Sequence, residues 1–100
     1  MIKHVILWQL KAEFQGDNKT AILSDMKQNL ENLKGKIPGL IDIKVYYNGL
    51  ASSNADVMLD SCFESEDALK AYAVHPDHVH VADTYVRPFT ASRSCLDFEI

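Results

Sequence analysis

The chain has 100 residues, 47% of them hydrophobic, which is enough to build the core of one domain spanning 1–100. Its formal net charge of −4 and ten scattered basic residues exclude a nucleic-acid partner, because phosphate contacts require clustered Lys and Arg. No apolar run approaches the ~20 residues of a membrane span, and Lys3, His4, Gln9 and Lys11 interrupt any leader-like segment, so the expected location is the cytoplasm.

A first strand is expected over Ile2–Lys11, which is rich in β-branched and aromatic residues. Asp17 or Asn18 offers an N-cap for a helix whose apolar stripe is Ile22, Met26, Leu30, Leu33 and Ile37, ended by Pro38-Gly39. Leu40–Asn48 reads as a second strand with Ile41, Ile43, Val45 and Tyr47 on one face. The loop Asn48–Asn54 leads to a third strand, Ala55–Glu64. Ser65 caps a second helix carrying Ala68, Leu69, Tyr72 and Ala73, and this helix stops near His75-Pro76. A third helical piece is expected over Asp77–Val86, closed by Pro88, followed by a last strand over Arg93–Ile100. The order β-α-β-β-α-(α)-β is that of an α+β, ferredoxin-like fold: an antiparallel four-stranded sheet, strand order 4-1-3-2, with helices on one face. Cys62 and Cys95 form neither a disulfide framework nor a CxxC pair, and both are expected to be buried, reduced thiols.

In such a fold one sheet face lacks helices and should be polar. Here Ile2, Ile6, Trp8 and Leu10 fill one face of strand one, yet Val5 and Leu7 fill the other. Met58, Cys62, Leu40 and Tyr46 extend that second apolar face. It is expected to be a homodimer interface between two helix-free sheet faces.

The candidate chemistry lies with the histidines. His4 sits on the helix-facing side of strand one, while Tyr72 and His78 end and begin neighbouring helices, so the three can meet at the mouth of a pocket. Neutral imidazole suits a general base and a phenol can donate to a developing enolate, which points to proton abstraction next to a carbonyl. His75 is read as bounding the helix break at Pro76. His75, Asp77, His78, His80 and Asp83 carry ligand types for a metal, but His78 and His80 fall on different helix faces, and no metal is assigned.

Lys3-His4 opening an apolar strand, Phe63-Glu64-Ser65 entering a helix, Tyr72 before His75-Pro76-x-His78, and a closing Asp97-Phe98 strand resemble the stress-responsive α/β-barrel (Dabb) proteins over essentially the whole chain. That resemblance implies a dimeric α/β barrel in which two ferredoxin-like sheets face each other. One plant enzyme of the family is a cyclase that performs an aldol condensation without cofactor or metal. By this resemblance His78 matches the base, Tyr72 its assistant and His4 a pocket histidine, while Leu59 matches a pocket wall. The remaining lining is expected from Ile6, Trp8, Met26, Leu30 and Phe89, with Lys27 beside them and Val81 and Ala82 at the entrance. The expected ligand is a small apolar organic molecule bearing a carbonyl, with no cofactor. A non-catalytic stress-response or ligand-binding dimer is the alternative, and a monooxygenase-like member of the same superfamily ranks third.

Overall fold

The computed structural model describes residues 1–100. Strand β1 (Ile2–Leu10) leads through a short 3-10 turn at Ala12–Phe14 to helix α1 (Lys19–Glu31). Strands β2 (Leu40–Tyr47) and β3 (Val57–Phe63) follow, then helices α2 (Glu66–Val74) and α3 (Pro76–Val81). A π turn at Ala82–Val86 and strand β4 (Thr90–Glu99) complete the chain. The sheet is antiparallel in the order β4-β1-β3-β2, the ferredoxin-like order expected from the sequence.

Alternation along the strands sorts the side chains. Ile2, His4, Ile6, Trp8 and Leu10 of β1, with Val57, Leu59, Ser61 and Phe63 of β3, lie under the helices and are buried. Ile22, Leu23, Met26 and Leu30 of α1 cover them, joined by Tyr72, Val81 and Val86. The opposite face carries Leu7, Tyr46, Leu96, Phe98 and Ile100, all exposed large apolar side chains.

Several local expectations need correction. Helix α1 ends at Glu31, not at Pro38-Gly39. Leu33 and Ile37 are buried as the stripe required, but they sit in the turns that follow, where Gly35 adopts φ +86°. Asn18 holds the N-cap position without a side-chain cap bond. In β2 a bulge between Leu40 and Asp42 breaks strict alternation. It places Leu40 in the core at 8% exposure and turns Ile41 outward at 38%, the reverse of the simple period-two pattern. Strand β4 begins at Thr90, three residues before the expected Arg93. The third helical piece starts at Pro76 and changes from α to π winding at Ala82. Cys95 is exposed rather than buried, because β4 is an edge strand that the helices do not cover; both thiols are free.

Edge strand β2 is held by α1 in a way that gives Lys27 its role. Its Nζ donates to the Val45 carbonyl at 2.7 Å and to Glu31 Oε2 at 2.8 Å, while Glu31 Oε2 accepts the Val45 amide at 2.9 Å. The helix side chains thus satisfy backbone groups that an edge strand leaves open. Lys27 is part of this clamp, not of a pocket.

Gly39, just before β2, has φ +82°, and a Cβ there would lie 2.5 Å from the Ala68 Cβ of α2. Both the backbone conformation and the close approach demand glycine. Gly39→Ala is therefore expected to cost about 1–3 kcal/mol, the left-handed backbone contributing about 1–2 and the overlap the rest. A shift of the urea midpoint to lower concentration at constant slope would register it, and an unchanged midpoint would contradict it.

Asp56 locks the loop before β3 to the end of β1. Its carboxylate accepts from the Leu10 amide at 2.8 Å, from Gln15 Nε2 at 2.9 Å and from Lys19 Nζ at 2.9 Å. Burial alone would push this carboxyl up, but the bonds from Gln15, Leu10 and Lys19 outweigh it and hold it below the usual range. A depressed carboxylate contributes stability above its unfolded pKa of about 3.9 and loses it as pH falls through the folded value. The stability difference between wild type and Asp56→Asn should therefore be full at neutral pH and shrink below about pH 4. A difference that stays constant down to pH 2 would refute this account.

Candidate functional site

Three of the expected residues meet at one cavity. His4 is presented by β1, the strand held on both sides, with its carbonyl accepting from Ser61 Oγ at 2.9 Å. Tyr72 comes from the last turn of α2, a helix opened by Ser65, whose hydroxyl accepts the Ala68 amide at 3.1 Å. His78 comes from α3, whose N-cap is His75: its Nδ1 accepts the Asp77 amide at 3.1 Å. His75 is thus committed to the helix break, as the sequence suggested.

The Tyr72 and His78 rings lie 4.1 Å apart by centroid, and His4 meets Tyr72 edge-on at 6.3 Å. Phe63 packs against Tyr72 at 4.9 Å and His4 at 6.2 Å, so a core residue backs both of these rings. A cavity of about 570 Å³ opens over them, lined also by Ile2, Ile6, Leu69, Lys70, Arg93 and Asp97.

Burial lowers the His78 pKa, and although its bond to the Ala73 carbonyl opposes this, Arg87, His4 and Arg93 reinforce it, so the imidazole is neutral at pH 7. Nδ1 lies 3.3 Å from the Ala73 carbonyl and must carry the proton to donate there, which leaves Nε2 as the basic nitrogen. Burial pushes the Tyr72 phenol far up, so it keeps its proton; its Oη is buried and has no hydrogen-bond partner. His4 Nδ1 pairs with Asp97 Oδ1. Burial would raise the Asp97 pKa, but the bond from His4 overrides it and holds the carboxyl low.

Of the other expected lining residues, only Ile6 borders this cavity. Trp8, Met26, Leu30 and Leu59 are buried in the central core, Val81 and Ala82 are buried along the α3–π-turn segment, and Phe89 is half-buried against Phe14 at 5.1 Å. They support the site from behind without facing it. Asp97 and Arg93 were not singled out as site residues. The signal for them is the β1–β4 register, which sets His4 opposite Asp97 and Trp8 opposite Arg93. Neither strand's sequence prints that register.

Among curated proteins, none matches this chain. Among solved structures it is similar to a dimeric ferredoxin-like protein of unknown function from Bacteroides fragilis (29% identity, 99% of this chain and 95% of that one, TM-score 0.91). It is also similar to a dimeric ferredoxin-like protein of unknown function from Thermobifida fusca (26%, 99% and 90%, TM-score 0.79). A hydroxynitrile lyase from Passiflora edulis shares the fold at 15% identity, with 99% and 92% of the chains covered and a TM-score of 0.78. The model of the stress responsive A/B barrel domain matches residues 2–100. With that match over nearly its whole length, the chain belongs to the stress responsive A/B barrel domain (Dabb) family.

Proposed function

We propose that this protein is a homodimer, joined through its helix-free sheet faces, whose cavity binds a small carbonyl-containing organic molecule and catalyses cofactor-free acid/base chemistry of the aldol, cyclase or lyase type. The observation that carries the reading is the unpartnered Tyr72 Oη, 2% exposed by residue and placed beside a neutral imidazole on a cavity wall. An unsatisfied buried hydroxyl is costly, and a ligand oxygen would satisfy it. In this reading His78 Nε2 removes the proton next to the carbonyl, Tyr72 donates to the oxygen as it gains charge, and Asp97 holds the His4 ring in place.

The dimer is supported by the exposed Leu7, Leu96, Phe98 and Ile100 on one sheet face and by the dimeric Bacteroides fragilis and Thermobifida fusca proteins. Light scattering at micromolar concentration should give twice the 11.3 kDa chain mass, and Leu96→Asp should shift it to the monomer. A wild-type mass of one chain would refute the interface.

The site is tested by a thermal-shift screen of carbonyl compounds, followed by turnover assays of each hit. Hits should lose their stabilisation in Tyr72→Phe, which removes only the hydroxyl. Undiminished turnover in His78→Ala/Tyr72→Phe would overturn the catalytic reading and leave the binding one. A non-catalytic binding dimer draws on one observation of its own: the His78–Ala73 bond also ties α3 back to the end of α2, a structural task for the same ring.

A further inference from the structure

β1 and β4 assemble a second constellation that shares His4 and Asp97 with the acid/base site and adds Cys95. The β1–β4 register sets His4 opposite Asp97 and Ile6 opposite Cys95, so His4, Cys95 and Asp97 share the helix-facing side of two paired strands. Their donor atoms converge. Cys95 Sγ lies 3.8 Å from His4 Nδ1 and 3.4 Å from Asp97 Oδ1, His4 Nδ1 contacts that same oxygen, and all three atoms lie within 4.8 Å of one another. We propose that His4 Nδ1, Cys95 Sγ and Asp97 Oδ1 form a binding site for a divalent metal ion of the zinc class.

The geometry and the donor chemistry agree. A tetrahedral zinc ion with bonds of about 2.0–2.3 Å has ligand-to-ligand edges of about 3.3–3.6 Å. Both edges to sulfur are already close to that span, and only the His4–Asp97 edge must widen. Sulfur with imidazole nitrogen selects zinc-like ions over magnesium or calcium, which prefer all-oxygen shells. Three protein ligands leave a fourth position, the arrangement of an open rather than a closed zinc site. His4 and Asp97 both border the cavity, so an oxygen of water or of an organic ligand can take that position. Tyr72 Oη, buried and without a partner on the same cavity, is an independent sign that the cavity receives a polar oxygen. Sequence spacing does not reveal this set, because His4 lies more than ninety positions from Cys95 and Asp97.

Binding displaces the Cys95 thiol proton and requires an unprotonated His4 Nδ1, so apparent affinity should rise with pH. The test is titration of the reduced, full-length protein with cobalt(II), followed by the near-ultraviolet thiolate-to-cobalt charge-transfer band, with zinc competition by calorimetry. One equivalent per chain should produce the band. Cys95→Ser should abolish it and weaken zinc at least tenfold, Asp97→Asn should weaken zinc without removing the band, and Cys62→Ser should behave as wild type. Far-ultraviolet circular dichroism establishes that each variant is folded. Absence of the band in wild type, its persistence in folded Cys95→Ser, or its loss in folded Cys62→Ser would each overturn the assignment. None of these readouts depends on turnover, so the metal assignment is decided without reference to the acid/base reading.

Discussion

His78→Ala should lower turnover of a carbonyl substrate by about 10²–10⁴-fold, the range for loss of a positioned general base. The reason is local. With Nδ1 donating to the Ala73 carbonyl, the basic lone pair is on Nε2, and the ring lies 4.1 Å from that of Tyr72, whereas His75 Nδ1 is spent on the Asp77 amide. The pH profile provides an internal check. Because burial lowers the His78 pKa, the acid limb of kcat/KM should fall below the ordinary imidazole value of about 6.5. An acid limb at or above that value in wild type, or a His78→Ala enzyme with an unchanged profile, would assign the base elsewhere.

Phe63→Ala should cost about 3–5 kcal/mol of stability, as large-to-small changes at fully buried aromatics do. Phe63 is 0% exposed at the end of β3 and touches both rings that define the back of the cavity. Its loss is therefore expected to act twice: the fold weakens, and Tyr72 and His4 lose the surface that spaces them. The single tryptophan, Trp8, is 5% exposed and reports global unfolding by its emission shift, which makes the midpoint simple to follow. Phe63→Leu, which refills most of the volume, should recover more than half of the loss. A loss below 1 kcal/mol in Phe63→Ala would mean that this ring is not part of the cooperative core.

The periodicity of the chain carried the element order, the sheet order and the sorting of β1 into two faces, because each rests on patterns local in sequence. Ile2, Ile6, Trp8 and Leu10 are buried, and Leu7 is exposed, as alternation requires. What local patterns could not encode were events set by tertiary pairing. The bulge at Ile41 depends on how β2 meets β3, and the π turn at Ala82–Val86 on how the chain leaves α3 for β4. For the site the division is similar. His4, Tyr72 and His78 were legible as residue types at the ends of elements. Met26, Leu30 and Leu59 were placed near them because apolar residues on the covered face look alike in sequence, whether they wall a cavity or fill the core behind it. Asp97 and Cys95 depend on the β1–β4 register, and only the folded sheet displays it.

That register has a consequence for how the protein can change. β1 works like a reading frame shared by two texts: its even-numbered side chains face the helices and the cavity, and Val5 and Leu7 face the opposite side. A single-residue insertion or deletion between Lys3 and Leu7 would exchange the two sets, carrying an imidazole onto the helix-free face and an aliphatic side chain into the cavity at the same step. Length changes within this strand are therefore tolerable only in pairs, and even a pair would move His4 away from Asp97. The loops at Asn48–Asn54 and around Gly35 carry no such constraint, and variation in chain length should collect there.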